Sequence, residues 1–284
     1  MTARPRPGRP AGAAVPSGAT ARGTRAGARK MVAAATATTG RVRLYQMPAQ
    51  QALAAVPPGS ISVLLTDPPY TTVDRRSGSG HLRRWFAGGL SWAEIARILA
   101  IARRKLRPDG VAFVMTNGDG LRDALTAMER AGFTRVRTIT WDRRYPGLGG
   151  GLRHQTEFVL VGYLPGSRTL TGVDLVAVPA VGPGTAGRWP TQKPDGLGRK
   201  LAAMATVGPG DVVLDPFCGS GALLVGAKER GAAVIGCDIA PAAIRSARRK
   251  LGDPGTGTTA KAGRRPPRAP GAGTPKTPRD RRDG

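Results

Sequence analysis

From residue 41 onward, short runs of apolar and β-branched residues alternate with segments in which apolar residues recur at helical spacing. The run ISVLLT at 61–66 is largely apolar, which is typical of a strand buried on both faces of a parallel sheet. Ser91-Trp-Ala-Glu94 has the spacing of a capping box and precedes apolar positions that share one helical face. This alternation predicts an α/β domain with a doubly wound, mainly parallel sheet.

The same patterns give the bounds of the other elements. Strands are expected at 41–45, 61–66, 111–115, 133–141, 157–164, 212–215 and 233–237, with a further short strand at 173–178. Helices are expected at 49–56, from 91 to a turn at 107–110, at 121–130, at about 194–206 and 220–230, and at 241–251. Polar, basic 71–90 and the Gly/Pro-rich 165–190 are expected to be loops.

Positive charge is distributed unevenly along the chain. The formal net charge is +26, from 44 Lys and Arg against 18 Asp and Glu. Residues 1–40 and 252–284 consist mostly of Gly, Pro, Ala, Thr and Arg, so we expect two disordered basic tails that cannot bury a core. The tails are interpreted either as arms that hold nucleic-acid phosphates or as a compositional bias without a role. The basic excess of 41–251 favours a polyanionic partner.

Composition also excludes several classes of protein. No run of about 18 apolar residues is present, so a membrane-spanning helix is not expected, and the N-terminus lacks the apolar stretch of a secretory signal. Two cysteines, Cys218 and Cys237, cannot form a disulfide scaffold or a four-ligand zinc site by themselves. His81 and His154 are isolated in polar segments. We therefore expect a reduced, cytoplasmic protein without a metal site.

A first chemical signal, Asp67-Pro68-Pro69-Tyr70, directly follows the buried run at 61–66. Open α/β sheets place ligands at the carboxyl ends of their strands. Proline has no N–H, so the two prolines are expected to present their carbonyls outward as free acceptors. With the Asp67 carboxylate and the Tyr70 ring, they suit a flat group that carries an NH₂, such as a stacked nucleobase. The alternative is a helix-blocking turn with a solvent-facing Asp67.

A second signal, Asp215-Pro-Phe-Cys-Gly-Ser-Gly221, connects a predicted strand to a predicted helix. Its glycines allow a ligand to approach the backbone, and the helix N-terminus supplies free N–H groups. Asp238 follows Asp215 by 23 residues, at the end of the next strand, where a Rossmann-like unit places its ribose-binding carboxylate. The full dinucleotide and triphosphate fingerprints are missing, which favours another adenosine-bearing cofactor. A tight turn without a ligand is the alternative, and Cys218 is interpreted as a packing residue.

Taken together, these segments resemble the amino-methylating DNA methyltransferases that use S-adenosylmethionine. Pro190-Thr-Gln-Lys-Pro194 is similar to the segment that closes over the methionine end of the cofactor in this family, and Trp141-Asp-Arg with Glu157 is similar to the segment beside the target-base pocket. Trp189 replaces a histidine that is frequent in the family. The resemblance implies a catalytic set of Asp67, Pro68, Pro69 and Tyr70, and a cofactor-binding set of Lys193, Asp215, Pro216, Phe217, Gly219, Ser220, Gly221 and Asp238.

The catalytic motif precedes the cofactor loop, which is the permuted order of the class often called beta. The resemblance implies a circularly permuted, seven-stranded Rossmann-like methyltransferase sheet over 41–251, in which the strand at 41–45 lies beside the strand at 233–237. In this class the sequence-reading region usually lies where this chain has only 165–190. Recognition of the target is therefore expected to be short, or shared with the basic loop at 71–90.

The function implied is transfer of a methyl group to an exocyclic amine of a base flipped out of double-stranded DNA. Adenine N6 is favoured because an Asp heads the catalytic tetrapeptide, whereas cytosine-N4 enzymes more often have Ser there. A role in restriction–modification and a homodimer are further expectations. The alternatives are a cytosine-N4 enzyme, an RNA amino-methyltransferase, and an inactive basic nucleic-acid-binding protein.

Overall fold

The structure is a computed structural model that describes residues 41–70, 89–146, 152–181 and 192–253. The predicted N-terminal tail, the predicted C-terminal tail beyond Asp253, most of the basic loop and the segment from Trp189 to Thr191 lie outside the described residues. The strands are β1 (Val42–Gln46), β2 (Ile61–Thr66), β3 (Leu106–Thr116), β4 (Arg135–Asp142), β5 (Thr156–Tyr163), β6 (Leu175–Ala177), β7 (Val212–Asp215) and β8 (Ala233–Asp238).

The helices are α1 (Ala49–Ala55), α2 (Trp92–Arg103), α3 (Leu121–Arg130), α4 (Asp195–Met204), α5 (Val225–Glu229) and α6 (Pro241–Leu251), with a 3₁₀ turn at Ala222–Leu224. The capping box that starts α2 is formed, since the Glu94 N–H donates to Ser91 Oγ and the Ser91 N–H donates to Glu94 Oε2. The single helix predicted at 220–230 is divided between the 3₁₀ turn and α5. Among the described residues, no helix is both long enough and apolar enough to cross a membrane.

The strands form one sheet in the order β1-β8-β7-β2-β3-β5-β4-β6. All neighbours are parallel except β3 with β5 and β5 with β4. The α/β class with a mainly parallel sheet is thereby confirmed. The described sheet has eight strands, one more than the predicted seven, because the three-residue β6 pairs with the edge of β4. As expected, the early strand β1 lies beside β8.

Helices cover both faces of the sheet and enclose two apolar layers. One layer packs α4, α5 and α6 against strand residues such as Val63 and Val213. The other packs α1, α2 and α3 against residues such as Leu64 and Leu214. Successive side chains of a strand point to opposite faces of the sheet. Since both faces of the central strands β2 and β7 are covered by helices, these strands are largely apolar on both sides. This burial fixes the position of their carboxyl ends.

The predicted turn at 107–110 is accommodated within β3. β2 pairs Ile61 with Leu106 and then Val63 with Val111, so the residues between Leu106 and Val111 bulge out of the register. β3 therefore begins earlier than the expected 111–115. The reason is that Leu106 is buried and pairs with β2 before the chain turns.

Candidate active site at the carboxyl edge of the sheet

The two predicted motifs meet at one edge of the sheet. β2 and β7 are parallel neighbours, with Val63 opposite Val213 and Leu64 opposite Leu214. The segments that follow them therefore leave the sheet side by side. The Thr66 hydroxyl, directly before the tetrapeptide Asp67–Tyr70, donates to Asp215 Oδ1 at 2.7 Å. The two motifs are therefore neighbours at this edge of the sheet.

Asp215 is an internal anchor of the glycine-containing loop. Its side chain is almost completely buried, and its Oδ1 also accepts from the Phe217 N–H at 3.0 Å. Burial raises the pKa of Asp215 to about 7, although the hydrogen bonds from Thr66 and Phe217 act in the opposite direction. The loop is further tied to β8, because the Cys218 N–H donates to the Cys237 carbonyl at 2.9 Å.

The glycine loop leaves space on one side of its backbone. Gly219 has φ +49°, and a Cβ placed on it would meet no atom within 4 Å. Gly221 also has positive φ, at +78°, but a Cβ there would lie 2.9 Å from Leu251 Cδ1. Ser220 between them is buried. Gly219 is therefore the point at which a ligand could approach the backbone, while Gly221 is required by packing.

Asp238 lies opposite this loop at the end of β8. Its Oδ2 accepts from the Gly219 N–H at 3.0 Å, and its Oδ1 accepts from the Ala240 N–H at 2.8 Å. Burial raises the pKa of this carboxyl despite these bonds. Each carboxylate oxygen has a further lone pair, so Asp238 can still accept from a hydroxyl. Ile239, the next residue, is 49% exposed and offers an apolar surface that the sequence reasoning missed.

The tetrapeptide differs from expectation at its prolines. The Pro68 carbonyl accepts from the Tyr70 N–H at 2.8 Å, and the Pro69 carbonyl accepts from the Leu90 N–H at 2.7 Å. The expectation of two free carbonyls was therefore wrong. The reason is that buried backbone N–H and C=O groups are nearly always hydrogen-bonded, and here the N–H groups of Tyr70 and Leu90 lie within reach of the two carbonyls. A carbonyl has two lone pairs, so the Pro68 oxygen can still take a second donor.

Tyr70 is held in an aromatic stack. Its ring lies parallel to that of Trp92, with 5.4 Å between centroids and an interplanar angle of 13°. The bridge between Tyr70 and Leu90 brings the start of α2 to this position. Burial, with Asp67 nearby, raises the pKa of the Tyr70 phenol, so this group is neutral at physiological pH. One face of the ring is covered by Trp92 in this stack.

Lys193 joins the tetrapeptide to β5. Its Nζ lies 3.0 Å from Asp67 Oδ2 and 3.0 Å from Glu157 Oε2. The other carboxylate oxygen of Glu157 lies 3.5 Å from Arg143 Nη1. The Lys193 side chain is only 12% exposed. Lys193 was expected to contact a cofactor carboxylate, but its structural partners are two carboxylates of the chain itself.

Burial and the neighbouring charges shift the pKa values of this cluster in opposite directions. Burial alone would lower the pKa of Lys193, but Asp67 and Glu157 outweigh it and raise that pKa. The pKa of Asp67 is raised by burial, lowered by Lys193 and raised again by Glu157. Sequence reasoning placed Glu157 and Arg143 only beside a base pocket. Their link to Asp67 depends on β5 lying antiparallel to β3, with Thr116 opposite Phe158.

The remaining candidates have structural roles. Cys218 and Cys237 are buried, burial raises the pKa of both thiols, and the Cys237 thiol donates to the Pro216 carbonyl. This agrees with packing and gives no activated nucleophile. His154 lies 3.6 Å from Asp119 at the same edge. Over the described ranges, no group of three or more His, Cys, Asp or Glu could hold a metal ion.

The chain is similar in sequence and in fold to known methyltransferases. Residues 174–249 match the family model described as DNA methylase, of the N6/N4 type. A type II methyltransferase, M2.DpnII of Streptococcus pneumoniae, is 24% identical over 229 residues, which are 70% of this chain and 85% of the relative.

Two solved structures share the fold. A candidate DNA modification methylase of Thermus thermophilus, complexed with S-adenosyl-L-methionine, has a TM-score of 0.54 and 22% identity over 75% of this chain and 96% of its own. The PvuII cytosine-N4-specific DNA methyltransferase has a TM-score of 0.59 and 16% identity over 75% and 87%. These matches confirm the resemblance expected from the motifs and the fold that it implied.

Proposed function

We propose that this chain, a DNA amino-methyltransferase by its N6/N4 resemblance, transfers a methyl group from S-adenosylmethionine to N6 of adenine in duplex DNA. The observation that carries the proposal is the shared edge, where the Thr66–Asp215 hydrogen bond links the catalytic tetrapeptide to the glycine loop. A donor of a methyl group and its acceptor would both lie at this edge.

The loop side fits an adenosine-bearing cofactor. Gly219 has open space beside its backbone, Asp238 retains acceptor capacity for ribose hydroxyls, and exposed Ile239 offers a surface for the adenine ring. When bound there, S-adenosylmethionine supplies an electrophilic methyl group on a sulfonium. The buried Asp215 holds the loop in shape and is not itself exposed to the ligand.

The tetrapeptide side fits an aromatic amine. Lys193 pairs with Asp67 Oδ2, and the proposal assigns the other oxygen, Oδ1, to one N–H of the amine. The Pro68 carbonyl accepts the second N–H with its remaining lone pair. These two bonds draw the nitrogen away from conjugation with the ring and restore lone-pair density for attack on the methyl group. As the N–C bond forms, the methyl–sulfonium bond would break and its electron pair would stay on the sulfur, which leaves as a neutral thioether. The nitrogen loses a proton toward Asp67, which the raised pKa of that carboxyl favours.

The base reaches this pocket only after leaving the duplex, because a stacked base cannot contact both Asp67 and Tyr70. The base is assigned to the face of the Tyr70 ring opposite Trp92. Most of the rate enhancement is attributed to this positioning, up to roughly 7–11 kcal/mol for well-oriented groups. Cytosine N4 is the second candidate, since the cytosine-N4-specific PvuII methyltransferase shares the fold.

Digestion of treated DNA to nucleosides, followed by mass spectrometry, tests the proposal directly. Duplex DNA and RNA of matched sequence are incubated with deuterium-labelled S-adenosylmethionine. We expect N6-methyladenine from DNA only. Labelled N4-methylcytosine would establish the second candidate, labelled RNA would establish the RNA alternative, and no transfer would leave the chain as a binding protein.

Asp67→Ala should abolish the transfer while calorimetry still detects cofactor binding, since the cofactor contacts lie on β7 and β8. Asp123→Ala removes an exposed carboxylate from α3 and serves as the matched control. Turnover retained by Asp67→Ala would refute the catalytic assignment.

Several further expectations stay proposals. The tails at 1–40 and 252–284 would hold phosphates by counterion release, and the chain would act as a cytoplasmic enzyme, alone or as a homodimer.

The segment 165–190 is the proposed sequence-reading region, and part of its described portion belongs to the edge of the sheet. There, the Trp141 Nε1–H donates to the Val178 carbonyl at 2.8 Å, next to β6.

A further inference from the structure

Four charged side chains from four separate segments, one of them the tetrapeptide itself, come together in one cluster. Asp67 follows β2, Arg143 follows β4, Glu157 lies on β5 and Lys193 precedes α4. Each side chain is at least three-quarters shielded from solvent. Two positive and two negative charges make the cluster neutral, which lowers the cost of burying it.

Lys193 holds the central place in this cluster. It bridges Asp67 and Glu157 at 3.0 Å on each side, and Arg143 fixes Glu157 from behind at 3.5 Å. A lysine with two buried carboxylate partners has little rotamer freedom left. Asp67 is therefore held by one oxygen, which determines where its other oxygen points.

We propose that Lys193 is a positioning residue that keeps Asp67 ionised and aimed as the acceptor of the substrate amine, with Glu157 and Arg143 holding Lys193 in place. The inference rests on the proposed function and adds to it the reason why a buried carboxylate can serve as an acceptor. A protonated Asp67 would offer a donor to the amine and lose the pull on its N–H.

The charged and titratable groups around Asp67 determine its ionisation in opposite directions. Lys193 favours the carboxylate, whereas Glu157 disfavours it. Tyr70, on the same segment, and Asp215, at the end of β7, also lie within electrostatic range. Substitutions at Lys193 and Glu157 should therefore move the pKa of Asp67 in opposite senses, which a merely structural role would not produce.

The test measures the pKa of Asp67 by carbon NMR of its side-chain carboxyl, identified by comparison with Asp67→Asn. We expect Lys193→Met to raise this pKa, Lys193→Arg to restore it in large part, and Glu157→Gln to lower it. A resonance that titrates alike in wild type, Lys193→Met and Glu157→Gln would overturn the inference. If Lys193→Met does not fold, Lys193→Arg and Glu157→Gln still decide the question.

Single-turnover methyl transfer at saturating DNA and cofactor provides the second readout. The acid limb of the rate–pH profile should move to higher pH in Lys193→Met, with about a tenfold loss of rate on that limb for each unit of pKa. Cofactor affinity should stay within about twofold of wild type, a difference of only a few tenths of a kcal/mol. The reason is that the proposed cofactor contacts lie on β7 and β8. Lys200→Met, an exposed lysine on α4, is the control.

The outcomes separate the two proposals. Wild-type protein that methylates no DNA overturns the proposed function and this inference with it. Wild-type activity with an unmoved profile in Lys193→Met overturns the inference alone. Weakened cofactor binding with an unmoved profile would likewise overturn it and return Lys193 to the cofactor-carboxylate role expected from the motif.

Discussion

Asp215→Asn should make the folded protein more stable at neutral pH than the wild type. The pKa of Asp215 is about 7 in the folded chain, against an ordinary value of 3.8. Because the folded state binds this proton more tightly than the unfolded chain, the contribution of Asp215 to stability falls as pH rises from about 4 to 7 and stays level above that. The side-chain amide of asparagine does not titrate in this pH range. Its carbonyl oxygen can still accept from Thr66 and Phe217.

The size of the effect follows from the difference between the two pKa values. About three units at about 1.4 kcal/mol each give a penalty of roughly 4 kcal/mol at full ionisation. Of this, about 3 kcal/mol develops between pH 5 and pH 8. Asp215 is almost completely buried, so solvent screening does not diminish the figure much. The neighbouring Asp67 and Asp238 titrate in both proteins, and the comparison largely cancels them.

Urea unfolding of cofactor-free protein, followed by circular dichroism at pH 5 and pH 8, measures this difference. The quantity of interest is the free energy of unfolding of Asp215→Asn minus that of the wild type. This difference should be about 3 kcal/mol larger at pH 8 than at pH 5. Asp174→Asn, an exposed carboxylate, controls for the loss of a charge from a basic protein. A difference that stays the same at both pH values would refute the reasoning about burial.

Two further substitutions test the two sides of the site. Asp238→Ala should weaken cofactor binding by about tenfold or more, because the variant loses a partly buried carboxylate acceptor worth roughly 1.5–3 kcal/mol. Calorimetry measures this, and an unchanged affinity would contradict the ribose assignment. Trp92→Ala should raise the KM for DNA by up to about tenfold, since a stacked aromatic pair contributes roughly 0.5–1.5 kcal/mol beyond its buried area. Steady-state kinetics with Trp92→Phe as the conservative control tests this, and equal KM values in Trp92→Ala and wild type would contradict it.

The architecture could be predicted from sequence because its signals are local. The buried run at 61–66 indicates a central strand, and the capping box at Ser91 marks a helix start within four residues. The mainly parallel sheet followed from the alternation of strands and helices, and β2 and β7 are parallel neighbours within it. Short β6 supplied the eighth strand, which a three-residue stretch in a Gly/Pro-rich segment indicates only weakly.

The contacts of the site could not be predicted in the same way, because they join distant segments. Lys193 and Glu157 are separated by more than thirty residues, and only the antiparallel β5 brings Glu157 back to the edge. The partners of the proline carbonyls depend on the chain folding back at Leu90. Trp92 was correctly placed in a helix, but its stack on Tyr70 requires the position of that helix in three dimensions.

The permuted order is compatible with this site because adjacency in the sheet, and not order along the chain, brings the reacting groups together. Thr66 and Asp215 are 149 residues apart, yet one hydrogen bond joins them. The first described strand, β1, pairs with the last one, β8, so the two ends of the described core meet within the sheet. In the proposed mechanism, each strand end contributes one function: β2 an acceptor for the amine, β7 a glycine loop and β8 a carboxylate. Any cyclic order of these strands that preserves the pairing of β2 with β7 and of β7 with β8 would assemble the same edge.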